Sequence, residues 1–539
     1  MNPFTLVFNL RRWALTSLIL GCILSPLVAA DRLNVVLIIA DDLRPQLGSY
    51  GDSIVQTSHL DAFARNALRF ERAYAQIAVC SPSRNSFLSG LRPASSGLRG
   101  FGRTIRNAVP DVVTLPQHFK NNGYRSVGMG KVFHIYSETG LGSEDDPASW
   151  SEPLWLPQNP VWGPKQNAIR ERLSAEARAA GKEFKHSHDW PRGSAFDDPD
   201  VSDEALRDGE TALRAAGFLR ARAAAADGPF FLAVGFYEPH LPFVAPKRYF
   251  DLYDPDKLPL PDNDAAPRGA PAGTFNFGME DKFYDFPPPE KRDDAFKRRY
   301  LQAYLASISY VDACTGRVLA ALRETGLDRN TIVAFIGDHG YMMGEHGSWG
   351  HKHSNYEMAV RIPMLVSAPG MKARGEATPA LVELIDLYAS LPDLAGLPAP
   401  ARNEGVSFAP LLASPGRHWK NAAFSEIFRG GRLGRSIRTD THRYVEWTDK
   451  TGSVIARELY DYRTDSQETE TLAEALLQAS TVKSLAARLE GRCTCKMMPR
   501  SQWVASRRSR LRRGTGGAHG CARTCLADAH RRGSFLHLQ

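Results

Sequence analysis

A chain of 539 residues with 43% hydrophobic and 23% charged side chains is long enough to bury one large core and a smaller companion. Its formal charge of +8 sits at one end: ten Arg and Lys496 against Asp528 after residue 491 leave the rest slightly acidic, which argues against a broadly basic nucleic-acid surface. Cysteine is as uneven, and Cys80 and Cys314 alone in the body exclude a disulfide scaffold.

In chain order, Arg11-Arg12, an apolar run from Trp13 to Leu24 and the small residues Ser25 to Ala30 read as a secretory signal over 1–30, too short for a comfortable membrane span. An uncleaved anchor helix is the alternative. Ile19-Leu20-Gly21-Cys22 also resembles a lipoprotein cleavage box, although the site at Ala30 suits the chain better. The protein is therefore expected to be exported, periplasmic or secreted, with no stable membrane span after signal removal.

Leu33 to Ala40, Arg125 to Met129, Phe230 to Phe236 and Thr331 to Ile336 are runs of β-branched and large apolar residues, expected as buried strands of a parallel or mixed sheet. Each empties into polar residues: Asp41-Asp42, Lys131 and His134, Glu238-Pro239-His240, and Asp338-His339. Ligand crevices of open α/β sheets lie outside the carboxyl ends of the strands, so these four groups are expected to converge. Helical patterns lie between: Leu60, Phe63, Ala67 and Leu68 behind Thr57-Ser58, and Ala303 to Leu322. The alternation predicts a layered α/β domain over 31–415.

Two stretches, about 140–203 and 251–290, are rich in Pro, Asp and Trp without sustained periodicity and read as pocket walls, lids or disordered surface. After Pro415 shorter strands are expected at Ala422 to Ile427, Arg435 to Thr439, Tyr444 to Trp447 and Glu458 to Tyr460, with a helix from Glu470 to Leu489, giving a small α+β subdomain over 416–491. The tail 492–539 has almost no apolar period and reads as disordered, as the product of a frame error near 491, or as a nucleic-acid arm. Its Cys and His spacing fits no usual zinc pattern.

The segment carrying most chemistry is Val79-Cys80-Ser81-Pro82-Ser83-Arg84, continuing through Ser89-Gly90 to Arg92-Pro93. Taken alone, Cys80 reads equally as a small buried residue. Asp41-Asp42 and Asp338-His339 offer three carboxylates and an imidazole, a hard donor set that favours calcium or magnesium over zinc.

With these motifs the sequence resembles the type I sulfatases, whose hallmark is C-x-P-x-R followed by a Thr/Ser-Gly pair. The resemblance implies an alkaline-phosphatase-like fold, a large mixed sheet flanked by helices. It also implies that a separate maturation enzyme oxidises Cys80 to formylglycine, whose hydrate attacks sulfur. A geminal diol suits this chemistry, because one hydroxyl attacks and the other collapses to the aldehyde and expels sulfate. The metal and cationic side chains offset the charge of the ester.

In this resemblance Asp41, Asp42, Asp338, His339 and the oxidised Cys80 bind one Ca2+, while Arg84, Lys131 and Lys352 neutralise the sulfate oxygens. His134 would deprotonate the hemiacetal and His240 protonate the departing alcohol, roles suited to a group titrating near working pH. The loop Trp349 to Lys352 is longer by one residue than in some relatives, which leaves His351 and Lys352 in competition for the sulfate contact. Gly337-Asp338-His339-Gly340, Gly344-Glu345-His346-Gly347, Val382 to Tyr388, Ser436 to Asp440 and Glu458 to Asp461 also match, so the resemblance covers about 31–490. His339 in place of Asn is similar to the iduronate-2-sulfatase-like group, which implies a 2-O-sulfated uronic acid of a glycosaminoglycan-like saccharide as substrate. A phosphonate monoester or phosphodiester hydrolase with the same oxidised cysteine, and a secreted carbohydrate-binding protein with Cys80 unmodified, are the alternatives.

Overall fold

A computed structural model of the chain describes residues 32–135, 144–183, 191, 193–225, 227–272, 283–288 and 291–494. The expected signal at 1–30 and the tail beyond Thr494 lie outside these residues.

The strand Asn34–Ala40 is buried along its whole length, as an unbroken Val-Val-Leu-Ile-Ile run requires when both faces are covered. Val36, Ile38 and Ala40 face an apolar layer completed by the helices Ser58–Ala64, Arg207–Ala225 and Asp294–Glu324. Val35, Leu37 and Ile39 face the opposite layer, with Cys80–Ser89, Leu115–Asn121 and Leu387–Leu394. One strand thus anchors two cores, and each fully buried aliphatic side chain in them contributes about 1.5–3 kcal/mol.

Eight strands form the sheet, in the order Arg361–Ile362, Leu68–Tyr74, Met364–Ser367, Thr331–Gly337, Asn34–Ala40, Phe230–Gly235 and Arg125–Gly130, with Ala377–Glu383 also paired to Leu68–Tyr74. The four strands from Thr331–Gly337 to Arg125–Gly130 are mutually parallel. Met364–Ser367 and Arg361–Ile362 pair antiparallel with their neighbours, so the sheet is mixed. All four parallel strands therefore discharge their carboxyl ends on one edge, which is where a crevice forms.

Ala423–Arg429, Arg432–Arg438, His442–Thr448 and Val454–Asp461 form a separate antiparallel meander. The chain divides into two compact units at 482/483; of the second, the described residues include only the later part of the helix Ala479–Thr494.

Three local expectations are corrected. The first helix is Ser58–Ala64 and does not reach Leu68, which opens the strand Leu68–Tyr74; residues 67 and 68 satisfy a helical period and a strand start equally. The last helix begins at Ala479 and not at Glu470, because Thr471 N donates to Arg268 O at 3.0 Å and Leu472 N to Leu459 O at 2.7 Å, which draws that segment into extended pairing. The stretch 140–203 contains a 16-residue helix, Pro164–Ala179, opened by Pro at its first position, where the missing N–H costs nothing.

Among the described residues one helix, Asp294–Glu324, is long and apolar enough to cross a membrane, and 83% of its apolar window is buried inside the protein. It is a core helix, started by the Asp293 side chain accepting from Phe296 N at 2.8 Å.

Candidate active site at the carboxyl edge of the sheet

The sheet's hydrogen bonding continues into the loops that carry the site. Asp338 N donates to Ala40 O at 3.1 Å, Lys131 N to Gly235 O at 2.8 Å, and Asp41 N to Glu238 O at 3.4 Å. Gly130 precedes Lys131 with φ of 69°, and a Cβ there would stand 2.2 Å from Gly235 O, so only glycine permits this approach. Asp42 adopts a left-handed φ of 61°, rare for a residue with a side chain. Its conformation is held from both sides: its N–H donates to Asp338 Oδ1 at 3.1 Å, and its carbonyl accepts from Tyr304 Oη at 2.8 Å.

Cys80 opens the helix Cys80–Ser89, all ten of whose residues are buried. Pro82 sits in the first turn, where a backbone N–H would have no helical partner, and Arg84 lies one turn beyond Cys80 on the same face. The spacing C-x-P-x-R thus sets a sulfur at a helix N-terminus, where the positive end of the dipole favours an anion, above a guanidinium. Gly90 closes the helix in the left-handed region with its N–H on Ser86 O at 2.9 Å.

The residues expected from sequence meet around this sulfur. Lys352 Nζ lies 3.1 Å from Cys80 Sγ and 2.6 Å from Asp42 Oδ1, and His339 Nε2 lies 3.3 Å from the sulfur and 3.3 Å from Asp42 Oδ1. Ligand atoms of Asp42, Cys80 and His240 lie within 4.8 Å of one another, with His240 Nε2 4.0 Å from Asp42 Oδ2. Lys131 is ion-paired to Asp41. Between the two candidates in the 349–352 loop, Lys352 is the one at the sulfur; His351 is turned into a buried pair with His353, ring centroids 5.4 Å apart. His134 is buried and packs at a tilt against Phe101, which is 43% exposed, at a centroid distance of 5.0 Å.

Arg84 is fully buried and spends its guanidinium on the frame: Nε to Asp338 Oδ2 at 2.9 Å, Nη2 to Asp41 Oδ1 at 3.5 Å, and Nη1 to the carbonyls of Lys131 and Val132. The resemblance places it at the sulfate; the geometry instead makes it the clamp that joins two carboxylates to the lysine loop.

Burial would raise Asp41, but Lys131, His240, Arg84 and Lys352 hold its carboxyl well below the usual range. Burial pushes Asp42 up to about 6 against the pull of Lys352 and His339. It also pushes the Cys80 thiol well up, so an unmodified Cys80 is a protonated, poor nucleophile. Burial, then Lys131, depresses His134, and burial, then Lys352 and Lys131, depresses His240.

The donors fit a hard cation. His339 Nδ1 lies 2.9 Å from Gly340 O, a carbonyl that can only accept, so Nδ1 donates there and Nε2 is the ring atom turned toward Asp42 Oδ1 and, at 3.7 Å, Asp338 Oδ2. Asp41 carries ion pairs, yet neither of its buried oxygens receives a hydrogen bond of ordinary geometry. Buried carboxylate oxygens without an aligned donor are acceptors that a bound cation would satisfy. Asp41, Cys80, Asp338 and His339 bring one ligand atom each to within 4.8 Å of one another.

Sequence reasoning did not find Tyr304, nor Asp208, which accepts from Tyr237 N at 2.9 Å and Glu238 N at 2.9 Å and so fixes the turn bearing His240. Neither carries a motif; both come from helices on one layer of the sheet.

Comparisons with known proteins identify the family. The Sulfatase family model matches residues 33–397, and the model for N-sulphoglucosamine sulphohydrolase, C-terminal, matches 344–494. The chain is 35% identical over 426 residues to iduronate 2-sulfatase of Mus musculus, covering 72% of this chain and 73% of that protein, and 34% identical over 430 residues to the Homo sapiens enzyme, with the same coverage. Among solved structures, the phosphonate monoester hydrolase of Silicibacter pomeroyi matches at TM-score 0.66 and 23% identity over 86% of this chain and 96% of that one. A complex with D-glucosamine-2-N,6-O-disulfate matches at TM-score 0.66 and 21% identity, over 86% and 97%. At such identities the structures speak for the fold, which is alkaline-phosphatase-like. The family match and the curated relatives define a hydrolase of sulfuric esters. The chain belongs to the sulfatase family.

Proposed function

We propose that the protein removes the 2-O-sulfate of a uronic acid in a glycosaminoglycan-like saccharide, after export to the periplasm or beyond and after conversion of Cys80 to formylglycine by a maturation enzyme. The observation that carries the chemistry is the meeting of Lys352, His339, Asp42 and His240 around Cys80 Sγ. The choice of substrate is supported by the likeness to the two iduronate 2-sulfatases.

Asp41, Asp42, Asp338 and His339, with the oxidised residue 80, would hold one calcium ion, which would supply Lewis-acid polarisation of the ester. Oxidised and hydrated, residue 80 supplies the hydroxyl that attacks sulfur and, by collapsing to the aldehyde, lets sulfate leave. Lys131 and Lys352 offset the ester's negative charge at the two ends of the Asp41-Asp42 pair. Arg84 keeps Asp41, Asp338 and the 131–132 backbone in register.

His240 lies with Nδ1 2.6 Å from Leu241 O, a geometry that fixes how the ring presents Nε2, the nitrogen nearer Asp42. Burial and two lysines keep the ring neutral before substrate binds; the charge of a bound sulfate opposes both lysines, raises the ring's proton affinity and readies Nε2 to protonate the leaving alcohol. His134, neutral for similar reasons, accepts a proton from the residue-80 hydroxyl.

The test is the mass of the tryptic peptide spanning residue 80, from protein co-expressed with a maturase, together with turnover of paired aryl esters. Aldehyde in place of thiol, and aryl sulfate hydrolysed faster than aryl phosphonate, is the expected result. Preferential phosphonate turnover would assign the oxidised cysteine to phosphonate monoester hydrolysis. A thiol that persists where a control sulfatase is converted would remove the mechanism and favour a carbohydrate-binding protein.

A further inference from the structure

The strand Ala423–Arg429 runs beside the segment that leads to Cys80. Ser425 Oγ donates to Ala75 O at 2.6 Å, Glu426 N donates to Gln76 O at 2.8 Å, and Ile427 packs in one cluster with Ile77 and Val79. The two segments therefore advance together, residue 425 beside 75 and residue 427 beside 77. Side chains alternate along a strand, so Arg429 shares the face of Ser425 and Ile427 and continues it toward Val79 and Cys80.

The loop bearing Lys352 is fastened to the same sheet. Asn355 Nδ2 donates to Gly434 O at 3.1 Å, and Gly434 is paired across the meander with Ile427. His351 and His353, either side of Lys352, are 5% and 6% exposed. After burial itself, the charge acting most strongly on His351 is Arg429, followed by Lys352; on His353 the leading charges are His351, Arg429 and Lys352. Arg429 and Lys352 are cationic, while burial keeps the His351 ring neutral. His346, on the same stretch of chain, instead feels Glu468, Glu345 and Asp465. The wall between the meander and the lysine loop is thus built of positive groups and imidazoles beside the nucleophile, an arrangement that suits a second anionic group on the substrate.

We propose that Arg429, backed by His351 and His353, reads the carboxylate of the sulfated uronic acid while the sulfate lies at residue 80. The planar guanidinium matches a carboxylate bidentately, and its strand belongs to the small sheet while the reacting groups come from the large one. The inference rests on the sulfatase reading above and adds the residue that distinguishes an acidic sugar from a neutral one.

The experiment uses the formylglycine-bearing, calcium-loaded full chain and compares kcat/KM for a disaccharide ending in a 2-O-sulfated uronic acid with that for its carboxyl-reduced counterpart. One charge-assisted pair predicts a preference for the acid on the order of 10- to 100-fold. Arg429→Gln is expected to bring that ratio to within about threefold of unity, with Arg429→Lys keeping part of it. The ratio is independent of how much of each variant folds. A wild-type ratio near one, or a ratio unchanged in Arg429→Gln, overturns the proposal. So does an enzyme that hydrolyses an aryl sulfate but neither disaccharide, or one whose Arg429-dependent preference follows a second sulfate on the neighbouring sugar. Failure of the underlying reading looks different: no sulfate ester of any kind, aryl sulfate included, is turned over.

Discussion

Two regions of this molecule bury charge on a large scale, and they treat it in opposite ways. Below the small meander, Arg443 reaches Glu468 at 2.7 Å, Glu357 at 2.5 Å, Tyr462 at 3.1 Å and Ser436 at 3.2 Å, and Glu357 accepts further from Tyr74 at 2.9 Å and Tyr462 at 3.0 Å. At the sheet edge, Asp41, Asp42, Asp338 and His339 confront one another, and both buried oxygens of Asp41 lack a properly aligned donor. A satisfied network holds a structure together, whereas an unsatisfied one is kept for what binds there. The same contrast shows in the carboxyls: burial opposed by Arg438, Arg443 and Arg361 leaves Glu357 at about 2, while burial leaves Asp42 at about 6.

The sharpest way to break this contrast is one substitution on each side. Asp338→Asn is expected to lower turnover on the order of 10³-fold and to abolish the stabilisation by calcium, about 2.7 kcal/mol at a hundredfold excess over Kd. An Asp338→Asn protein that keeps both would end the case for the metal centre. Arg443→Met should do the reverse, destabilising by about 3–5 kcal/mol because it strands Glu468 and Glu357, while the folded fraction turns over normally. Denaturation midpoints and active-site-normalised rates separate the two.

A smaller effect is expected from acid. Glu357 has a folded value of about 2 against 4.5 when unfolded, so its contribution is complete above pH 4.5 and disappears as pH falls toward 2. That amounts to about 3 kcal/mol. Glu357→Gln should be weaker at neutral pH and lose less on acidification; an unchanged acid limb would mean the network does not bear on stability. Smallest of all, deletion of 492–539 is expected to leave turnover within about twofold, because that tail supplies none of the site residues. A large fall with the fold intact would count against the division drawn here.

Much of the site was legible because its parts carry local signals. Asp41-Asp42, Lys131, His240 and Asp338-His339 each follow an apolar run, and that position at a strand's end is visible without any partner strand. Cys80 and Arg84 were legible through their spacing. Less visible were the short strands Arg361–Ile362 and Met364–Ser367, too brief to show a period, and Leu68–Tyr74, whose first residue also completed a helical pattern. The helix Pro164–Ala179 was missed because, of its sixteen residues, only Ser174 is buried, so it has almost no apolar face to give it a period.

By itself the sequence pointed to the reaction class, through its resemblance to the sulfatases, and to the donor types, since these depend on residue identity and on spacings within a few positions of the chain. Tertiary structure decided which donors meet. It brought Tyr304 to the carbonyl of Asp42 across 262 residues, chose Lys352 over its neighbour at the sulfur, turned Arg84 inward, and laid the strand of Arg429 along the approach to Cys80. The physical reason is that such contacts are fixed by the order and register of strands far apart in sequence, a property of the closed core that no single segment carries.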